Sequence, residues 1–339
     1  MSTLARAEGP RRSIAELASK NAIVLVLLGL VLVIGAARPS FLNPENLVNI
    51  LRISSVRAII ALGVGGILIM RGTDLSAGRT VGFAAVVAAS LAQRDDYASK
   101  LFKDLPMLPL LVPVLAALGV GLLVGLLNGS VVAFLKVPPF IATLGMMVIV
   151  YGAVSLYVDR PPMGAQPLGG LREDFTNIGT GDTLTIPNLI LIAALVTLVT
   201  YVILNRTRLG KNVYAIGGNP EAAVVSGVSV WRNTLLVYAF GGLLYGLAGA
   251  LLAARTGGAT NNYGQMYELD AIAACVIGGV STSGGIGTVG GMITGVLIFE
   301  VLNNGLVVLG VSAYWQQIVK GIIIVAAVAI DIQKYVRKR

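Results

Sequence analysis

Long apolar runs separated by short polar ones make up most of the chain. They cover Ala22 to Ala37, then about residues 53–71, 79–92, 107–135, 139–158, 188–204 and 234–254, two runs within 269–310, and a last at 314–332. A helix crossing a bilayer needs ~20 mainly apolar residues. The pattern therefore predicts an all-α, polytopic membrane protein of about ten transmembrane helices, some broken at glycine-rich points. Between the spans lie a turn-rich segment, 38–52, mixed-charge loops at 93–106 and 159–187, a polar loop at 255–268, and a basic insert at 205–232.

Charge orients this scheme. Arg6, Arg11, Arg12 and Lys20 precede the first span, and Lys334, Arg337, Lys338 and Arg339 follow the last. Unbalanced Lys and Arg mark cytoplasmic segments. Residues 1–20 then form a cytoplasmic segment, 21–332 the membrane domain and 333–339 a basic cytoplasmic tail, with both termini inside. The first run also has the layout of a secretory signal peptide, but in a chain embedded throughout it reads as an uncleaved span. Only 12% of residues are charged and 56% are hydrophobic, whereas soluble domains carry about 25% charged residues. The net charge of +9 is explained by membrane topology, not by nucleic acid. Histidine is absent and Cys275 is the single cysteine, which argues against imidazole-held metal, intramolecular disulfides and histidine acid–base chemistry.

Glycine spacing adds detail. Gly121, Gly125 and Gly129 repeat every fourth residue and share one helix face, so another backbone can approach closely; Gly242 and Gly246 have the same spacing in the seventh span. Ala58, Ala61, Gly65 and Gly66 echo Ala271, Ala274, Gly278 and Gly279, a candidate internal repeat of the kind transporters use. Gly285-Ile286-Gly287-Thr288-Val289-Gly290 fits a dinucleotide fingerprint but lacks the βαβ setting and the distal acid. It reads as a broken membrane helix. No phosphate-binding P-loop motif is present.

Three stretches carry candidate chemistry. Arg71 to Arg79 places charges and hydroxyls between apolar flanks, where ionisable groups are costly and face a cavity or one another. The spacing allows Arg71–Asp74 or Asp74–Arg79 pairing, and Gly72 and Gly78 allow an irregular backbone. Tyr267-Glu268-Leu269-Asp270 opens a glycine-rich span, its acids suited to a helix N-terminus. Glu300, with Asn303 and Asn304, lies inside a span as a coupling carboxylate or a polar group held by a neighbouring helix. In the insert, Gly217-Gly218-Asn219-Pro220-Glu221 is a turn feeding a short helix from Pro220 to about Ser226. Asn219 is its N-cap, Pro220 its first residue and Gly227 its stop. So short a helix is not stable alone; it suits a groove in a partner.

Asn205 to Val228, with Arg208-Leu209-Gly210-Lys211 and Tyr214 through Ala223, resembles the coupling loop of bacterial sugar ABC-importer permeases of the ribose/xylose/galactose branch. Gly72-Thr73-Asp74-Leu75-Ser76 and Tyr267 through Ala274 resemble two further signatures of that family, in order, from about residue 40 onward. The Gly72–Arg79 stretch, Thr260-Asn261-Asn262 and the surroundings of Cys275 are most similar to its galactose/methyl-galactoside members, and Glu300 departs from the family pattern. The resemblance implies a transport subunit, not an enzyme, in the bacterial inner membrane. It implies a second copy of the chain, cytoplasmic ATPase subunits, a periplasmic sugar-binding protein and surrounding lipid as partners. It also implies that the chain binds no cofactor and that ATP and magnesium sit on the ATPase. Gly217, Gly218, Asn219, Pro220, Glu221, Ala222 and Ala223 would receive the force. Gly72, Thr73, Asp74, Ser76, Asn261, Asn262, Glu268 and Asp270 are candidates for the pathway and its gating. An ion-coupled secondary sugar transporter is the alternative, with Glu300 or Asp74 as its ion site. An enzyme acting on lipid-linked sugar would lack both a histidine and a clear pair of catalytic acids.

Overall fold

A computed structural model describes residues 22–161, 164 and 166–336. The expected cytoplasmic segment 1–20 and residues 337–339 of the basic tail lie outside the described residues. Among the described residues the fold is all-α apart from a short hairpin, Asp182–Thr183 with Ile186–Pro187, and two isolated bridges. In chain order the helices are α1 (Ala22–Ala37), α2 (Pro44–Ile69), α3 (Ala77–Leu91), α4 (Leu111–Phe134), α5 (Pro139–Val158), α6 (Glu173–Thr180), α7 (Asn188–Arg206), α8 (Arg208–Gly218), α9 (Pro220–Val225), α10 (Val230–Thr256), α11 (Tyr267–Ile277), α12 (Val289–Val308) and α13 (Ala313–Val336). A short 3-10 turn, Pro39–Leu42, joins α1 to α2.

Among the described residues, seven helices are long and apolar enough to cross a membrane: α2, α4, α5, α7, α10, α12 and α13. Three of the expected spans are shorter. Helix α11, of 11 residues, rises ~16 Å, about half a hydrocarbon core. Helices α1 and α3 have 16 and 15 residues.

Other boundaries differ for local reasons. The polar start of segment 38–52 is not a loop throughout: the Asn43 side chain accepts from Glu45 N at 3.1 Å, Pro44 follows, and α2 begins there. Polar capping residues initiate the helix before its apolar face starts. Loop 159–187 contains α6, and the last helix runs to Val336, four residues past its expected end.

The centre is α10, packed against α4, α3 and α2. Its pairing with α4 uses the glycine ladder as expected. A Cβ on Gly121 would fall 2.0 Å from Gly242 O, one on Gly125 2.3 Å from Tyr238 O, and one on Gly246 2.4 Å from Ala117 O. The backbones touch, and only hydrogen atoms fit between them.

Polar ties sort the loops into two ends. At one end Gln93 bridges Leu171, Leu168 bridges Ala259, Arg52 pairs with Asp182 at 2.8 Å, and Asn46 bonds Asn304. The two bridges join the mixed-charge loops 93–106 and 159–187 to each other and the latter to loop 255–268. At the other end lie α8, α9, the α2–α3 break and residues 278–288, with Phe134 of α4 against Trp231 of α10.

A candidate coupling and pathway site

The insert is two helices, not a turn and one helix. Thr207 accepts from Gly210 N and opens α8, whose last residues are Gly217 and Gly218. These two glycines were expected in the turn. Asn219 alone forms the corner: its side chain accepts from Ala222 N at 3.0 Å and opens α9. The stop is also as read. Gly227 takes a left-handed φ of +79°, while Gly227 N donates to Val224 O and Val228 N to Ala223 O, the paired bonds of a Schellman closure. Ala223 is buried as the foot of α9, and Glu221 is exposed in its first turn. Val224 and Val225 point outward, 59% and 90% exposed. The apolar tip was not foreseen, because a Val-Val pair is unremarkable in so apolar a sequence.

The α2–α3 break is enclosed in protein. Asp74, 1% exposed, accepts from Ser76 N at 2.9 Å and Ser76 Oγ at 2.7 Å. Asn128 of α4 donates to Ser76 Oγ, Thr143 of α5 bonds Thr73 O and Leu75 N, and Tyr238 of α10 donates to Thr73 O. Irregular backbone at membrane depth needs such partners. Neither ion pair allowed by spacing forms. The Asp74 carboxylate is taken by its own turn. Arg71 reaches the other way, donating from Nε to Gly217 O at 2.7 Å and from Nη2 to Gly218 O at 2.8 Å. Arg79 lies over the Tyr151 ring, 4.3 Å from its centroid, and donates to Asn261 O at 3.4 Å. Gly72 packs under Tyr238, where a Cβ would fall 3.1 Å from its hydroxyl and 2.7 Å from Ile67 Cγ2.

A second break, 278–288, meets the first. Gly285 N donates to Ile69 O at 2.7 Å, and Tyr214 of α8 donates to Gly287 O at 2.9 Å. Of the fingerprint-like glycines, Gly285 and Gly287 belong to this break and Gly290 to the first turn of α12; Gly279, Gly284 and Gly285 have positive φ. The segments of the candidate repeat lie in two helix–break–helix units, α2–α3 and α11–α12. Their structural registers differ from the sequence echo: Gly279 follows the end of α11, whereas Gly66 lies inside α2.

Glu268 and Asp270 stand in the first turn of α11, as their types suggest, yet neither makes a side-chain cap. They also part company. Glu268 is buried against α3, close enough that a Cβ on Gly78 would meet its Oε2 at 2.1 Å. Asp270 Oδ2 lies 3.0 Å from Arg57 Nη1 and 3.4 Å from Lys320 Nζ. Arg57 also lies 2.6 Å from Glu300 Oε1. Arg57, Asp270 and Glu300, from α2, α11 and α12, line a cavity of about 10 Å³, room for one water, and Lys320 of α13 completes the ion-pair cluster through Asp270. Glu300 is accordingly held by a neighbouring helix. Sequence reasoning missed Arg57 and Lys320; a lone cation inside an apolar run was the available signal.

Asn261 and Asn262 occupy a segment that dips into the helical body. A Cβ on Gly82 would strike Tyr263 O at 2.1 Å, and one on Gly78 would strike Gly264 O at 2.2 Å. Those glycines lie ~14–20 Å along α3 from its far end. The segment is irregular there, and Asn262 and Gln265 are exposed. Asn261 Nδ2 lies 3.4 Å from Ser155 Oγ of α5. Exposed polar side chains on irregular backbone at this depth do not suit hydrocarbon. The face formed by Arg79, Tyr151, Ser155 and Asn261 is built to meet water, solute or protein.

The comparisons with known proteins agree with this architecture. Residues 46–328 match the family model described as branched-chain amino acid transport system / permease component. The chain is 51% identical over 328 residues to the galactose/methyl galactoside import permease protein MglC of Haemophilus influenzae, covering 96% of this chain and 97% of that one. It is 50% identical over 333 residues to the protein of the same name from Escherichia coli K12, covering 97% and 98%. It is 39% identical over 314 residues to the ribose import permease protein RbsC of Escherichia coli K12, covering 92% and 93%. No solved structure matches the chain. By family match and by identity over nearly its full length, the chain belongs to this family of transport-system permease components.

Proposed function

We propose that the chain is the membrane permease of an ATP-driven importer for a monosaccharide, galactose or a methyl galactoside. The names borne by the relatives that share half its residues support the sugar. The observation that carries the coupling reading is α9: a capped two-turn helix, presented at one end of the bundle with Val224 and Val225 bare. A short helix with an exposed apolar tip gains stability by burial in a groove. Its partner in this reading is a cytoplasmic ATPase that alone holds ATP and magnesium.

Two copies of the chain enclose the pathway, each contributing the polar face around Asn261, Asn262, Arg79 and Tyr151. Thr73, Asp74 and Ser76 hold the nearby break in shape, and Gly72 lets Tyr238 approach it. A periplasmic binding protein delivers sugar at the end where the 93–106, 159–187 and 255–268 loops meet. The chain lies in the inner membrane, with both termini on the ATPase side. ATP-driven approach of the ATPase subunits pushes on Asn219–Ala223 and shifts the bundle between outward and inward opening. The ion-coupled alternative loses support from the engagement of both candidate acids, Asp74 with Ser76 and Glu300 with Arg57.

The test is reconstitution of the chain with its ATPase and binding protein in proteoliposomes. Uptake of labelled galactose that requires ATP and is indifferent to ion gradients is the expected result. Uptake that follows a proton or sodium gradient without ATP would overturn the reading.

A further inference from the structure

We infer that Arg71 is the strut that carries motion of the docking helix into the membrane breaks, a role that rests on the permease reading above. The backbone gives the first argument. Helix α2 ends in a Schellman closure: Arg71 N donates to Leu68 O and Gly72 N to Ile67 O, both at 2.9 Å. The position after the cap in that motif is left-handed and favours glycine. Here Arg71 occupies it at φ +65°, with Gly72 one residue later. Helix α11 closes the same way, with Gly279 N to Val276 O and Val280 N to Cys275 O, and there the position is Gly279 at φ +85°. One break thus keeps the unstrained residue where its twin carries a long cation. A left-handed non-glycine residue is strained and persists where the surrounding structure holds it.

The side chain gives the second argument. Gly217 and Gly218 end α8, and the last carbonyls of a helix lack intrahelical partners and form its negative end. Arg71 supplies two donors to these two carbonyls from a planar fork, which fixes direction as well as distance. Arg71 makes no ion pair among the described residues. The next residue after that helix end is Asn219, the cap of α9, so the strut grips the hinge on which the docking helix turns. The junction has no slack. A Cβ on Gly217 would lie 1.8 Å from Ile69 O, and one on Gly284 would lie 2.2 Å from Arg71 Cγ. Gly285 N and Tyr214 then tie the second break to the same point. Asp331 of α13 accepts from Ser281 Oγ, Thr282 N and Thr282 Oγ1, so the last helix joins it too. A displacement of α9 therefore reaches both breaks and α13 through contacts around one side chain.

Arg71→Gly is the informative variant. Glycine adopts the left-handed conformation freely, so the closure of α2 survives while the strut is lost. In proteoliposomes containing the ATPase and binding protein, the variant is expected to copurify with the ATPase at wild-type yield. Sugar imported per ATP hydrolysed is expected to fall at least about tenfold, the equivalent of one charge-assisted hydrogen bond. Arg71→Lys, with one point charge instead of a fork, is expected to recover only part of the ratio. An unchanged ratio in Arg71→Gly overturns the inference, and so does loss of the ATPase on purification, which would make Arg71 a docking residue. If the wild-type complex itself fails to import sugar with ATP, the permease reading fails instead.

Discussion

The guanidinium of Arg57 lies 2.6 Å from the carboxylate of Glu300, and both side chains belong to helices that span the apolar body. The same guanidinium serves Asp270 at 3.0 Å. Removing it leaves two buried acids with only Lys320 between them. Breaking a buried pair from one side costs about 3–5 kcal/mol, whereas replacing both partners by apolar groups is often neutral. Arg57→Met is therefore expected to lower the melting temperature of the detergent-solubilised protein steeply. The double replacement Arg57→Met with Glu300→Met leaves Asp270 with Lys320 and is expected to regain most of the loss. Equal melting temperatures for the single and double variants would refute a charge-balancing role.

The α4–α10 contact makes a contrast within one helix. A Cβ on Gly121 would fall 2.0 Å from Gly242 O, whereas Gly119 has nothing within 4 Å. Gly121→Ala must push two backbones apart, an overpacking cost of about 1–3 kcal/mol. Gly119→Ala adds helix propensity and is expected to be neutral or to stabilise by up to about 1 kcal/mol. Thermal unfolding and yield of the two variants in the same detergent check the pair. Similar behaviour would show that the glycine ladder is not the close approach.

That ladder was legible because helical geometry fixes which glycines share a face. The caps of α2 and α9 were equally local: Asn43-Pro44-Glu45 and Asn219-Pro220-Glu221 each spell an N-terminus, though the first lay in a stretch read as turn. What stayed hidden depends on partners distant in sequence. Asp74 had two arginines within reach by spacing, but its carboxylate is closer to its own Ser76. Arg71 found carbonyls near residue 217, and carbonyls have no sequence signature. Helix α11 was expected as a span because residues 269–310 hold two apolar runs, divided by the polar Ser281-Thr282-Ser283-Gly284-Gly285; the helix stops slightly earlier, at Gly278 and Gly279, and so is too short to cross. Arg57 and Lys320 gave no sequence signal beyond being isolated cations, although a cation in a span needs a partner elsewhere, an acid or backbone carbonyls.

Asp174 permits a pH test outside the membrane helices. Arg172 holds it with two bonds, Nε to Oδ1 at 2.7 Å and Nη2 to Oδ2 at 2.8 Å. These bonds hold the Asp174 carboxyl below its ordinary value of 3.8. A carboxyl lowered by folding stabilises the fold above its unfolded value and loses that contribution as pH falls through the folded one. Arg172 also donates to Leu108 O, and its backbone bonds Ala92 O, so the pair pins the loops at this end. Because Asp174 is half exposed, the effect is held to about 1 kcal/mol. Hydrogen exchange in residues 92–108 is expected to quicken below about pH 4 in the wild type, beyond the intrinsic pH dependence. In Asp174→Asn the residues should already exchange faster at neutral pH and show no further transition. Parallel pH profiles in the two proteins would dismiss the pair as a brace.

The docking helix and the break it serves can be separated by choosing residues that touch only one of them. Val225 is 90% exposed and makes no core contact. Val225→Asp therefore should not disturb the bundle, yet it places a charge where a groove would bury a methyl pair. Burying a valine contributes about 1.5–3 kcal/mol, so affinity for the ATPase is expected to drop about tenfold to a hundredfold. Glu221→Lys acts at the other end of α9, replacing a favourable acid at the positive terminus by a repelled cation, and is expected to weaken the same complex. Asp74→Ala removes the acceptor of two buried bonds from Ser76 while leaving α9 capped by Asn219. It is expected to bind the ATPase normally and to import little sugar. Titration of the ATPase against detergent-solubilised permease, with uptake measured in parallel, separates the outcomes. Undiminished ATPase affinity in both Val225→Asp and Glu221→Lys would remove α9 as the grip, and normal uptake by Asp74→Ala would remove the break from the pathway.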